Sequence, residues 1–161
     1  MTKIIISTIL TLSSTLLYAD NLSYTFVGTQ ASIDRFSGTT APSFGIKYGK
    51  QADMWRTALS LNYAKNANDS LTSLLLDVNR GVLSKVFKDF QAKPYVGLSM
   101  AMMSHKEKKS NSGYAYGLNG GFTYLFDDNI DIDLGLHYMS ASQIKSMNNL
   151  TDVTLSVHYF Y

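Results

Sequence analysis

The feature that most constrains this chain is a period of two. Residues 130–138 read Ile-Asp-Ile-Asp-Leu-Gly-Leu-His-Tyr, so Ile130, Ile132, Leu134, Leu136 and Tyr138 share one side and Asp131, Asp133, Gly135 and His137 the other. Successive side chains of a strand point to opposite faces, and the pattern predicts a strand whose faces see different media. The closing segment, TDVTLSVHYFY, does the same, with Val153, Leu155, Val157, Tyr159 and Tyr161 opposed to Asp152, Thr154, Ser156, His158 and Phe160.

The alternation recurs upstream. Tyr114, Tyr116, Leu118, Phe122 and Tyr124 oppose Ala115, Gly117, Asn119, Gly121 and Thr123; Val96, Leu98, Met100 and Met102 oppose Gly97, Ser99 and Ala101. Trp55, Thr57, Leu59, Leu61 and Tyr63 oppose Arg56, Ala58, Ser60 and Asn62, and Phe44, Ile46 and Tyr48 oppose Gly45, Lys47 and Gly49. Two segments are weaker: Tyr24 and Phe26 open a pattern that blurs through 22–33, and Leu75 interrupts the polar face of 70–79. About eight strands result, an even number suited to a closed membrane barrel. Residues 82–90, VLSKVFKDF, are the one place where a short amphipathic helix fits. Polar stretches at 34–41, 65–69, 104–113 and 139–150 are expected as long loops on one side, with tight turns at 50–53 and 127–129 and a longer 80–92 connection on the other. Pro42 and Pro94 are expected at strand beginnings, where no ladder hydrogen bond is lost.

The N-terminus carries Lys3, the apolar stretch Ile4 to Leu17, and Ala19 before Asp20. This is the pattern of a secretory signal peptide, which makes 1–19 the signal and 20–161 a single barrel domain. The apolar stretch is short for a membrane anchor. Lys3 is one of the chain's 14 basic residues, and without it the remainder nearly balances the 12 acidic ones. That balance offers no basic stripe for nucleic acid. The chain has no Cys, so no disulfide framework supports it.

Alternation alone does not say which face is inside. A soluble carrier of the lipocalin type is apolar within, and a membrane barrel is the reverse. With strands alternating in direction, Tyr24, Tyr48, Trp55, Tyr124, Phe126, Tyr159 and Tyr161 fall near one rim, and Phe44, Tyr63, Tyr114, Tyr116 and Tyr138 near the other. Two aromatic girdles around an aliphatic band match the two interfaces of a bilayer. The expected architecture is therefore an all-β, eight-stranded antiparallel up-and-down transmembrane barrel with a filled polar lumen. Lys47, Arg56, Asp77, Lys93, Asp131, Asp133 and His158 are expected inside it, towards the periplasmic half, and to pair with one another because an unpaired buried charge is costly. Strand order suggests Arg56 with Asp77, and Asp131 and Asp133 with His158. Such a filled interior does not suit a general porin.

The stretches KPYVGLSMAM (93–102), YGLNGGFTYLFDDNIDIDLGLHYMSAS (116–142) and LSVHYFY (155–161) resemble the OmpA/OmpX-like outer-membrane β-barrel superfamily. The resemblance implies an outer-membrane location in a Gram-negative bacterium. It also implies contact with outer-membrane lipid and lipopolysaccharide, escort by periplasmic chaperones, and a C-terminal strand read by the barrel assembly machinery through Val157, Tyr159 and Tyr161. The family usually ends in Phe, and this chain ends in Tyr161.

Other motifs yield to plainer readings. Asp127, Asn129, Asp131 and Asp133 have the spacing that opens a calcium loop, but Ile132 and Tyr138 stand where Gly and Glu are required. His137 and Ser140 resemble the His/Ser pair of lipid A deacylases, where a single intervening residue puts both on one side of a strand; here Met139 takes the Ser position and Ser140 has the opposite parity. HKEKK at 105–109 reads as a solvated loop tip that would suit anionic sugar or phosphate. Asn21, Asn68 and Asn149 match a glycosylation pattern by chance of composition. No phosphate loop, paired Cys or His cluster calls for a cofactor or metal. The expected role is structural or surface-interacting, with a surface ligand held through 34–41, 104–113 and 139–150; the alternatives are a lipid A-modifying enzyme and a soluble lipocalin-like carrier.

Overall fold

The computed structural model describes residues 23–66, 69–82, 91–106, 110–144 and 147–161. The expected signal peptide, the 82–90 helix (beyond Val82), residues 107–109 of HKEKK, Asn21 and Asn68 lie outside the described residues.

Eight strands follow one another: β1 (Ser23–Phe36), β2 (Thr39–Ala52), β3 (Trp55–Lys65), β4 (Ser70–Gly81), β5 (Ala92–Lys106), β6 (Ser110–Asp127), β7 (Ile130–Ile144) and β8 (Met147–Phe160). Each pairs antiparallel with its sequence neighbours, and β1 pairs with β8, closing the barrel. Closure runs from Phe26 opposite Phe160 to Phe36 opposite Leu150. It leaves no strand edge to template aggregation, which is why the last strand keeps its alternation to the end.

One end of the barrel carries both Ser23 and Tyr161 and the turns at 53–54 and 128–129; it is called here the terminal end. The other, the hairpin end, carries the Ser37-Gly38 turn and the connections after β3, β5 and β7. Ser37 (φ 50°) and Gly38 (φ 76°) are both left-handed, as the tightest two-residue hairpin requires.

The loops expected at 34–41, 104–113 and 139–150 are mostly strand. Residues 34–36 pair with 39–41, 104–106 with 110–112, and β7 and β8 continue to Ile144 and from Met147. The reason is a reversal of polarity along the strands. At mid-height the outward residues are apolar (Leu59, Leu98, Leu118, Leu136, Leu155) and the inward ones polar. Near the hairpin end Phe36, Met103, Met139 and Leu150 turn inward while Arg35, Ser104, Ser140 and Thr151 turn outward or part-outward. The chain stays in strand where the hydrophobic side switches, with one register shift between Ser140 and Ile144, and composition alone reads that switch as a loop. Pro42 and Pro94 stand fourth in β2 and third in β5, near the strand beginnings but already within the ladders, opposite Ile33 and Phe122.

The interior consequently has two media. Towards the hairpin end, Phe36, Ala41, Ala64, Leu71, Leu75, Ala101, Met103, Ala115, Met139, Ala141, Ile144, Met147 and Leu150 form one contiguous apolar cluster to which every strand contributes. Leu75, which broke the polar face in sequence, belongs to it. The remaining interior is polar apart from Phe26 and Ala58, so the expected polar filling describes only part of the lumen.

Candidate functional site in the barrel interior

Small residues make the interior habitable. A Cβ on Gly45 or Gly97 would run into the side chains of Asn62 or of Asn79 and Asn119, and one on Gly121 would meet the Tyr95 hydroxyl at 2.8 Å. These glycines keep the wall low where long polar side chains cross the lumen.

Near the terminal mouth Arg56, from the start of β3, is a hub. Its Nη2 donates to Asp131 Oδ2 at 2.5 Å and to Gln51 Oε1 at 2.6 Å, and its Nη1 lies 3.9 Å from Asp133. The guanidinium sits 5.2 Å from the Phe26 ring centre and 5.7 Å from that of Phe160, a cation–π arrangement on two aromatics. Asp131 also binds His158 Nδ1 at 2.6 Å, and Asp133 accepts from the Tyr95 hydroxyl and Thr123 Oγ1, each at 3.0 Å. The Asp131–His158 contact follows from register, since the two are directly opposed across β7 and β8.

Deeper in, His137 lies between two carboxylates, with Nδ1 2.7 Å from Asp152 and Nε2 3.4 Å from Asp77. Asp77 accepts from Ser99 at 2.7 Å and Asn119 at 3.1 Å, and Asp152 from Thr154 at 2.7 Å. Lys47 reaches Ser156 at 3.5 Å, and Gln30 donates to Asn62 at 2.6 Å. Every member of this layer is buried.

Two expectations are corrected and one open point is settled. Arg56 does not pair with Asp77: Arg56 is opposite Asn79, whereas Asp77 is opposite Ala58, two residues deeper, so the nearer carboxylates of β7 take the guanidinium. Lys93 has the inward parity but stands exposed at the rim of the terminal mouth. Phe26 points inward and is fully buried, forming the platform beneath Arg56. Sequence reasoning also left out of the charge cluster His137, Asp34, Asp152 and Tyr95, all of inward parity. Asp152 opposes His137 across β7 and β8, but the register shift between Ser140 and Ile144 keeps that pairing from being counted off the end of the hairpin.

The enzyme-like pair does not assemble. His137 is buried inside, while Ser140 is on the other face, opposite Tyr116 and Asn149 in regular register. The ladder irregularity between β7 and β8 begins only after Ser140. The Asp127–Asp133 run forms a turn and strand start, and no group of three or more metal-binding side chains occurs among the described residues.

Val157, Tyr159 and Tyr161 point outward at the terminal end. They stand on a wall that is apolar throughout its middle, with Ile46 and Leu98 each 64% exposed and Phe44 70%.

No family model matches the chain, and no curated protein sequence does. Solved structures do. The crystal structure of Neisserial surface protein A matches with a TM-score of 0.70 at 16% identity, covering 86% of this chain and 97% of that one. The fold is that of the small outer-membrane β-barrels. Outer membrane protein H of Pseudomonas aeruginosa, solved in micelles, gives 0.61 at 14% identity over 86% of this chain and 99% of its own. The N-terminal β-barrel domain of OprF from the same organism gives 0.59 at 18% identity over 87% and 100%. An outer-membrane barrel of this size accounts for the exposed apolar wall and the charged interior together.

Proposed function

We propose that the chain is a small integral outer-membrane protein of a Gram-negative bacterium, exported by a signal peptide at 1–19, with a structural or surface-interaction role. The observation that carries the reading is the inverted polarity of the barrel. Thirty large apolar or aromatic side chains are exposed on the described residues, while Asp77, Asp131, Asp133, His137 and His158 are buried. A bilayer takes such a wall out of water, a gain of about 1 kcal/mol for each half-exposed apolar side chain. A soluble carrier of the lipocalin type would leave the wall in water and bury the charges instead.

Lipid and lipopolysaccharide surround the wall in this reading. Val157, Tyr159 and Tyr161 serve as the signal to the assembly machinery, and periplasmic chaperones carry the unfolded chain there. A surface ligand, if the protein has one, meets the hairpin tips within 34–41, 104–113 and 139–150. The opposed faces of His137 and Ser140 favour a barrel without catalysis over a lipid A-modifying enzyme, and the packed interior favours a closed barrel over a porin. The test is fractionation of expressing cells combined with gel migration before and after boiling. A heat-modifiable band in the outer-membrane fraction, with an unchanged lipid A mass spectrum, supports the reading. A soluble periplasmic protein, or an altered lipid A, overturns it.

A further inference from the structure

The terminal mouth opens into a cavity of about 720 Å³, lined among others by Arg56, Asn79, Lys93, Tyr95, Thr123 and Asp131. Arg56 and Thr123 on this lining are part-exposed, and the cavity is roomy and polar enough to hold water. The opposite end is built differently. The apolar cluster draws on all eight strands, and Phe36, Leu71, Met139, Ile144 and Met147 within it are at most 2% exposed. A buried polar side chain, His105, joins them, edge-on to the Phe36 ring at 5.5 Å and 3.8 Å from Asp69. Apolar constrictions of this kind stay dry and stop ions without any charge barrier.

We propose that the barrel interior is a one-ended vestibule. It admits water and small hydrophilic solutes from the terminal mouth as far as Arg56, Asn79 and Thr123, and the buried His137 layer and the apolar cap behind it close it. The seal then lies beyond the Arg56–Asp131–His158 network, and the cap bars entry from the hairpin end. Residues that face the vestibule are open to solutes on one side of the membrane only. The proposal rests on the reading of the chain as a membrane-spanning barrel.

The chain has no Cys, so single introduced thiols report without background. Thr123→Cys places one in the vestibule, Ala115→Cys one in the cap, and Ser112→Cys one on the exposed outer face near the hairpin end. Each variant is reconstituted in lipid nanodiscs, where both mouths are reachable, and treated with a small charged methanethiosulfonate. Thr123→Cys and Ser112→Cys are expected to be labelled and Ala115→Cys to remain unlabelled. In a Phe36→Ser, Met139→Ser background, where the cap can be wetted, Ala115→Cys is expected to become reactive. Labelling of Ala115→Cys with the cap intact overturns the proposal. So does an inert Thr123→Cys, or an Ala115→Cys that stays inert in a folded wetted-cap variant. If the double serine variant does not fold, the comparison with the cap intact still decides. Heat-modifiable migration of each disc sample tests the membrane reading separately, so failure of that reading is not mistaken for failure of the seal.

Discussion

Arg56→Met is the most informative single change in the interior. The guanidinium is 12% exposed and Asp131 1%, so their contact is largely desolvated. Removing one partner of a buried pair typically costs about 3–5 kcal/mol because the other charge is stranded. Asp131 would keep His158 at 2.6 Å, and Gln51 can turn to the mouth. That places the expected loss at the lower end, about 3 kcal/mol. Asp131→Asn removes the stranded charge and preserves an oxygen facing His158, so Arg56→Met with Asp131→Asn should recover part of the loss. The coupling should lie within the roughly 0.5–3 kcal/mol range of contacting groups. The control is Arg56→Met with Asp77→Asn, which should be additive to within about 0.5 kcal/mol because Asp77 is engaged by Ser99, Asn119 and His137 instead. Urea unfolding in detergent micelles, scored by the folded and unfolded gel bands, measures all the variants. Equal coupling of Arg56 to Asp77 and to Asp131 would refute the argument, since the register puts only the latter within reach.

His137→Leu removes the base between Asp77 and Asp152 and should destabilise the barrel by about 3–5 kcal/mol in the same assay; a neutral result would mean that the two carboxylates do not depend on it. Deleting Tyr159 to Tyr161 removes the Phe26–Phe160 closure pair and the outward terminal aromatics. The truncated chain should fail to accumulate in the outer membrane, and normal levels by fractionation would contradict the role given to that strand. An epitope inserted after Gly38, a turn with open space around it, should be reached by antibody on intact cells. A tag reachable only after the outer membrane is broken would invert the topology.

Strand number and order, and inward parity on most strands, were readable because the strand middles cross a single apolar belt, where alternation is strict except along β1, whose outward positions include Thr29 and Ala31. Reading failed where the belt ends. Asp34-Arg35-Phe36 and Met139-Ser140 look like loop because their apolar residues change sides, although the ladder runs on through them. The charge partners were only half legible. Asp131 and His158 follow from a short hairpin, whereas Arg56 reaches across the lumen to β7, 75 residues away in sequence. No local pattern carries that distance; it depends on how the closed barrel staggers β3 against β7. Phe26 belongs to the segment whose pattern blurs in sequence; its neighbours inside are Arg56, His158 and Phe160, which favour an aromatic ring as much as lipid does.

The central claim is that the outer wall lies in lipid, and the single tryptophan can test it. Trp55 opens β3 at the terminal end, is 47% exposed on the wall, and has the Arg80 guanidinium 5.4 Å from its ring centre. In vesicles containing lipids brominated at graded depths, its fluorescence should be quenched most by bromines nearest the headgroups and progressively less by deeper ones, as for an interfacial girdle residue. Quenching by aqueous iodide alone, with no response to brominated lipid at any depth, would contradict the account.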